Sequence, residues 1–331
     1  MVILSLILIF VFLIAIGVGS VFIPPLHVLR ALLSFIGLNI KSDDNYFTIV
    51  TQIRLPRIII AMIVGMALST AGAIVQGIFR NPMAEPGIIG ISSGAGLGAI
   101  VAIALRMNLI NIVFLPLLAF MGALIASFTV YFLSTRNGKT PILYLILVGL
   151  SVSTFMSSIS SIILSNINQY QVSEYIFWIM GGLDGRSWWH VKVSFIPIII
   201  LLIISSFYAK RMNILILGEE ESIALGLNPE HLKRVLLVLV SLITGISVAV
   251  SGAISFVGLI VPHIMRLIIG PDYRKLIFSS MIGGGIFLIV CDTIARSMFS
   301  PIEIKVGIVT SILGAPFFLY LLKTKGNEVR M

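Results

Sequence analysis

Nine stretches of sixteen or more residues contain no aspartate, glutamate, lysine or arginine: 1–29, 58–79, 86–105, 107–135, 140–173, 193–209, 235–265, 276–291 and 306–322. A helix needs roughly 20 apolar residues to cross the hydrocarbon of a bilayer, so most of these runs are long enough to span it. Charged residues make up 11% of the 331 positions and apolar ones 58%, against roughly 25% charged in soluble domains. A water-soluble fold of this length has too little interior to hide that surface. The chain therefore reads as an all-α integral membrane protein, multi-pass, with the lipid bilayer as its solvent.

The run 235–265 holds 31 residues, about 46 Å as a straight helix, which is more than one span needs. "SGAISFVG" at 251–258 and Pro262 interrupt it, so it divides, with the second part ending near Ile269. Ten spans are expected in one domain over 1–331, with both termini on the same side. The basic residues set the orientation. Thirteen, from Arg80 to Lys325 and Arg330, fall on the terminal side, and nine, including Arg30, Lys41 and Lys305, fall on the other. The terminal side is therefore expected to be cytoplasmic, and the location is the cell membrane. The net charge of +9 is scattered between apolar runs without interleaved aromatics, which argues against a nucleic-acid partner. The first charge is Arg30, so the opening run lacks the basic start of a signal peptide and reads as a retained first span.

The chain also resembles itself. Residues 54–90 align without gaps on 234–270 with ten identities in 37 positions, among them Arg54/Arg234, Gly65/Gly245, Gly72/Gly252, Pro82/Pro262 and Gly90/Gly270. An offset of five spans reverses direction in the membrane, so the pattern predicts an inverted repeat with halves near 1–190 and 191–331.

Three polar segments stand out. In "RNPMAEPGIIGISSGAGLG", Asn81, Pro82 and Pro86 stop one helix and aim the next. Glu85 is then held at the cytoplasmic mouth. Gly90, Gly94 and Gly98 follow at every fourth residue, which bares one helix face either for close packing or for a pathway; the spacing alone does not separate the two. In "KRMNILILGEEESIALGLNPEHLKR", Glu219, Glu220 and Glu221 suit the first turn of a short helix. Gly226 ends that helix, and Asn228 with Pro229 caps the next. Its apolar residues on an extramembrane segment fit a docking site for a soluble partner. On the opposite face, Arg54 and Arg57 precede a span, and Asp292 and Arg296 are four apart and able to pair. These basic residues either anchor helices at the interface or form a rim for an acidic partner.

Other motifs fail. "RNGKT" at 136–140 ends like a phosphate-binding loop, but Leu133 occupies the position where that loop needs glycine. "GAGLGA" at 94–99 lacks the strand–helix setting of a dinucleotide site. The histidines, His27, His190, His231 and His263, have no metal-ligand spacing, and His263 with Arg266 is expected to cap an apolar helix end. No metal, cofactor or catalytic cluster is expected, and the lone Cys291 cannot form an internal disulfide.

Taken together, "RLPRIIIAMIVGMALSTAGAIVQGIFRNPMAEPGIIGISSGAG", "FWIMGGLDGRSW", "LGEEESIALGLN", "SGAISFVGLIVPHIMRLIIGPDYR", "DTIARS" and "VGIVTSILGAPFFLYLL" resemble the permease subunits of type II ATP-binding-cassette importers, the family of the vitamin B12, ferric-siderophore and haem permeases. These pieces span 54–322. One departure is "EIKVG" at 303–307, where the family reads E-L-P-V-G, so that Lys305 replaces a helix-starting proline. The resemblance implies a homodimer around a central pathway, with two copies of an ATPase subunit beneath it and one extracytoplasmic substrate-binding protein above. It assigns Arg54, Arg57 and Arg296 to the binding protein. Leu217, Gly218, Glu219, Glu220, Glu221, Ala224, Leu225 and Gly226 are assigned to ATPase coupling. Asn81, Pro82, Met83, Glu85, Thr140 and Pro141 fall to the cytoplasmic gate, and Gly90, Gly94 and Gly98 to the pathway. The implied function is transport driven by a partner's ATP hydrolysis, with a ferric siderophore as the leading cargo and cobalamin, haem or a molybdate-type oxyanion as alternatives. An intramembrane enzyme would need a polar catalytic cluster within the spans. An ion channel would need a narrow ring of charges or carbonyls.

Overall fold

The computed structural model describes residues 1–38 and 43–328; Lys41, Arg330 and the side chain of Lys325 lie outside the described part. The described residues form helices and no strand. In chain order they are α1 (Val2–Gly17), α2 (Pro25–Phe35), α3 (Asp44–Thr48), α4 (Leu55–Ile78), α5 (Ile91–Ala104), α6 (Met107–Ile110), α7 (Phe114–Ser134), α8 (Ile142–Leu164), α9 (Gln169–Ile179), α10 (Trp188–Phe207), α11 (Ala209–Leu215), α12 (Glu219–Ala224), α13 (Pro229–Ser251), α14 (Val257–Ile269), α15 (Tyr273–Ser297) and α16 (Val306–Glu328). A wide stretch of π-helix, Ile49–Arg54, joins α3 to α4.

The chain is an all-α membrane protein. Each of the ten expected segments carries one helix: α1, α4, α5, α7, α8, α10, α13, α14, α15 and α16. Six continuous helical stretches, those of Asp44–Ile78, α7, α8, α10, α13 and α15, are long and apolar enough to cross a membrane. Of the other four, α1, α5 and α14 are shorter, and the apolar part of α16 runs over Val306–Leu321. α5 has 14 residues and α14 has 13, about 20 Å each against a core of roughly 30 Å. The long run 235–265 breaks where expected, between Gly252 and Phe256. Two helices emerge inside or beside apolar runs: α2, begun by Pro25, and α9, whose start is fixed by a reciprocal Asn168–Gln171 capping box.

Helix α4 is the axis of the fold. Nearly all of it is buried against α10, α13, α14 and α15. It crosses α15 with backbones in contact, because a methyl group added at Gly65 would overlap the Gly284 carbonyl. Ser69 Oγ donates to the Ser280 carbonyl at 2.6 Å in the same crossing. Close approach through small residues is how helices associate in lipid, where no hydrophobic drive between them remains. The end where α4 starts is called the outer end below, and the end where it finishes the inner end.

The two repeat segments share conformation only in part. Residues 55–71 and 235–251 are both helical, but α4 continues to Ile78 whereas α13 stops at Gly252. Pro82 consequently lies in a turn and Pro262 inside α14. The two glycine-marked segments also touch each other: Gly72 lies against the Gly258 backbone, and Gln76 Nε2 donates to the Leu259 carbonyl at 3.2 Å.

Candidate functional site: a polar-lined cavity between two charged ends

A cavity of about 980 Å³ opens between α5, α8, α9 and α16. Its walls include Ser92, Ser93 and Gly96 of α5, Ser157 and Ser161 of α8 and Ser311 of α16, and no lining residue is charged. Three of the hydroxyls donate to carbonyls one turn back in their own helices: Ser160 to Met156, Ser161 to Ser157 and Ser311 to Gly307. At those positions the donor is used within the helix, which weakens the directional demands of that part of the wall.

This geometry corrects the expectation for the glycine stripe. Gly94 and Gly98 do not face the cavity. A methyl group at Gly94 would overlap the Gly122 carbonyl, and one at Gly98 the Leu118 carbonyl, both on α7. Gly90 heads α5 with φ +78° and lies against α7 and α8 near Val130 and Gly149. All three glycines serve close packing. The cavity side of α5 is carried by Ser92, Ser93 and Gly96, displaced around the helix. Periodicity found both faces and could not say which neighbour each one meets.

At the outer end, the three arginines expected at an open rim are turned inward. Arg54, Arg57 and Arg296 are 4%, 7% and 3% exposed. Arg57 Nε donates to both Asp292 oxygens at 3.0 and 3.1 Å, and its Nη1 pairs with Glu303 at 2.7 Å. Arg296 pairs with Asp292 at 3.6 Å, as its spacing predicted, and donates to the Ala15 carbonyl. Among the described residues Arg54 has no carboxylate partner. It donates to the carbonyls of Ile16 (2.6 Å), Gly17 (2.9 Å) and Val21, the end of α1 and the turn after it. Buried charge requires paired acceptors, and the carbonyls left open at a helix terminus supply them. Together with Glu303 the three arginines border a small cavity of about 240 Å³.

Lys305, the departure from the family pattern, ends just before α16. Its Nζ meets Asp184 at 2.8 Å and stands 5.3 Å from the Phe177 ring centroid. Burial works to raise the Asp184 carboxyl, but the hydrogen bond and charge of Lys305 hold it below its ordinary value.

At the inner end, the corner 80–90 is fixed by local turns. Asn81 Oδ1 accepts from the Met83 amide at 2.9 Å, and Pro86 opens a single 3₁₀ turn, Pro86–Ile89. Glu85 has a partner the sequence did not suggest: its Oε1 accepts from the Phe256 amide at 2.9 Å. Phe256 has φ +69° and heads α14, so Glu85 ties the corner to the break between α13 and α14. Thr140 and Pro141 lie elsewhere, at the start of α8. The Thr140 amide donates to Glu230 at 2.9 Å. The two gate segments do not touch through these residues; α8 links them, since Gly149 lies against the Ile88 carbonyl.

Helix α12 forms as expected, with Glu219–Glu221 in its first turn. Gly226 follows it with φ +78°, and Asn228 caps α13 by accepting from His231. Leu217, Ile223 and Leu225 are each about 60% exposed, an apolar patch on a segment outside the spans. Lys233, buried, anchors the segment through Glu219 at 2.8 Å and Glu230 at 2.5 Å. The hydrogen bond from Lys233 holds the Glu219 carboxyl below its usual range. Sequence reasoning overlooked Lys233 and Ile223; the Glu219–Lys233 separation of fourteen residues has no helical period to reveal it. His263 is not a helix cap. It sits mid-helix in α14, edge-on to Phe317 with ring centroids 6.2 Å apart.

Comparison with known proteins converges on one group. The model of the FecCD transport family matches residues 7–324. A cobalamin import system permease protein of Halobacterium salinarum is 44% identical over 282 residues, covering 85% of this chain and 74% of the relative. A siderophore transport system permease protein of Bacillus subtilis, described as probable, is 35% identical and covers 96% and 92%. A hemin transport system permease protein of Yersinia pestis is 37% identical and covers 86% of each. Among solved structures, an inward-facing transporter described as of the metal-chelate ABC type superposes with a TM-score of 0.85 at 30% identity, covering 97% of both chains.

Proposed function

Because the chain belongs to the FecCD transport family, a group of membrane permeases of ABC importers, we propose that it carries a bulky metal chelate through the serine-lined cavity. The observation that carries this reading is the cavity itself: about 980 Å³, hydroxyl-lined and uncharged. A free oxyanion would meet no cation there, whereas a large chelate needs room and weak contacts that let it leave. The exposed apolar side chains on α8 and α16, two of the helices that wall the cavity, such as Leu150, Phe155 and Ile312, support a homodimer in which a second copy completes the pathway. Two partners supply the rest. An ATPase subunit in two copies grips the patch of Leu217, Ile223 and Leu225. An extracytoplasmic binding protein docks over the outer arginines. Because those arginines are internally paired, a partner carboxylate would have to displace Glu303 from Arg57. Glu85 and the Thr140–Glu230 contact fit a role for both inner segments in closing the cytoplasmic side.

A ferric siderophore remains the leading cargo, supported by relatives named as siderophore permeases over nearly the full length. Cobalamin is the second reading, favoured by the 44% identity to a cobalamin permease. Uptake of radiolabelled cobalamin and radio-iron siderophore by cells lacking their own permease decides between them. The pathway assignment has its own test. Ser311→Trp fills the cavity and is expected to abolish uptake while thermal stability and ATPase association persist. Gly94→Leu, on the packed face, is expected instead to lower the amount of folded protein. Normal uptake with Ser311→Trp would remove the cavity from the transport route.

A further inference from the structure

A second groove lies on the flank of the bundle, away from the cavity. It occupies about 610 Å³ between α7, the first turns of α8 and the first half of α13. Phe128 and Phe132 of α7, Leu145 of α8 and Val238 of α13 make its walls apolar, and Ile89 from the inner corner reaches it. Phe128, Phe132 and Val238 are exposed, so the groove opens outward, toward lipid.

One charged residue lines this groove. Arg234 is exposed, and its Nε donates to Tyr131 Oη at 2.7 Å with the guanidinium 6.0 Å from the ring centroid. That bond holds the side chain at the groove, yet the ion pairs among the described residues do not include Arg234. The nearest acid on its own helix, Glu230, is engaged by Lys233 and the Thr140 amide. Arg136, 5.2 Å from the Tyr144 ring centroid, and Lys139 lie in the adjoining turn and add positive charge at the same end.

We propose that this groove is a binding site for one anionic phospholipid, its acyl chain along the Phe128–Phe132 wall and its phosphate on Arg234. An apolar channel ending in a fixed guanidinium matches the two halves of such a molecule. Guanidinium groups bind phosphate oxygens in a planar fork, and basic pockets between spans at the inner surface select anionic headgroups. The three basic residues distinguish a net-negative headgroup from a zwitterionic one, whose choline would be repelled. Contact with Ile89 places the lipid beside the 80–90 corner, where its presence would brace that corner from the lipid side. The proposal is independent of the cargo and of the transport reading.

The test uses the full-length chain, purified in neutral detergent and transferred to nanodiscs holding equal amounts of dioleoyl-phosphatidylglycerol and dioleoyl-phosphatidylcholine. Retained lipids are counted by native mass spectrometry. Wild-type protein is expected to retain phosphatidylglycerol about fivefold over phosphatidylcholine, the bias one basic group near the surface can supply. Arg234→Gln is expected to remove that bias, while Arg211→Gln, a basic residue at the same end but outside the groove, keeps it. Ser241→Trp narrows the groove and should lower retention of both lipids, with thermal unfolding run alongside; if that variant does not fold, the two arginine variants decide. Equal retention by the wild type, an unchanged bias in Arg234→Gln, or equal loss in Arg211→Gln would overturn the proposal. So would disulfide cross-linking of Phe132→Cys to its own copy in membranes, because a second chain would then fill the groove.

Discussion

The two ends of the bundle hold their charges in opposite ways. At the outer end Arg57, Asp292 and Arg296 are all buried, and Asp292 sits between two arginines, 2.9 Å from Arg57 and 3.6 Å from Arg296. At the inner end only the lysine is buried. The Glu219 side chain that Lys233 holds is 47% exposed and that of Glu230 19%. Buried ions that lose a partner have nowhere to turn, whereas a carboxylate open to solvent, as Glu219 is, exchanges a lysine for water at little cost. The outer network therefore fixes α4, α15 and the end of α1 as one frame. The inner network joins α12, α13 and the Thr140 turn by contacts that can be remade.

The largest effect should come from the outer end. Asp292→Ala leaves two buried arginines without their shared carboxylate, and a loss of about 3–5 kcal/mol is expected, read as a fall in the thermal unfolding temperature in detergent. A loss below about 1 kcal/mol would mean that the outer network is no firmer than the inner one.

Removing both inner carboxylates with Glu219→Gln and Glu230→Gln should cost less, about 1–3 kcal/mol, because Lys233 can still reach the Thr140 carbonyl at 3.4 Å. The change should be local. Hydrogen exchange is expected to rise across 217–233 and to stay unchanged in α4 and α15. Exchange that rises throughout would erase the contrast between a frame and a hinge.

Lys305→Pro restores the family residue at the outer end and removes a half-exposed ion pair. Stability should move by no more than about 1 kcal/mol in either direction. A larger drop would show that the Asp184 contact belongs to the rigid frame.

The smallest effect concerns pH. The folded pKa of Glu219 lies below its ordinary value of 4.5, so its contribution is fully present above that value and is lost as pH falls through the lower folded pKa. Protease cleavage within 217–226 should be flat from neutral pH down to about 5 and rise only below that. Cleavage that increases already near neutrality would mean that Lys233 does not hold this carboxylate.

Some features of the fold were legible in the sequence because one physical demand dominates them. A bilayer admits only helices that satisfy their own backbones, so charge-free runs mapped onto α1, α4, α5 and the rest, and Pro229, Asn228 and Gly226 marked ends that local hydrogen bonding alone decides. Lys305 shows the reverse case. Its departure from the family pattern was visible, but its partner Asp184 lies 121 residues away and no local rule points to it.

The sequence by itself determined that this chain is an all-α membrane protein, where its spans break, and that α12 and the 80–90 corner stand apart from them. Those properties follow from composition and from bonds within a few residues. Only the tertiary structure decided which face of α5 is packed and which is open, that Arg54, Arg57 and Arg296 turn inward to partners within the chain, and that Glu85 grips Phe256. Each of these depends on which helix lies opposite. A helical period specifies the faces of a helix, but the neighbour that covers each face is set by the packing of all the others around α4.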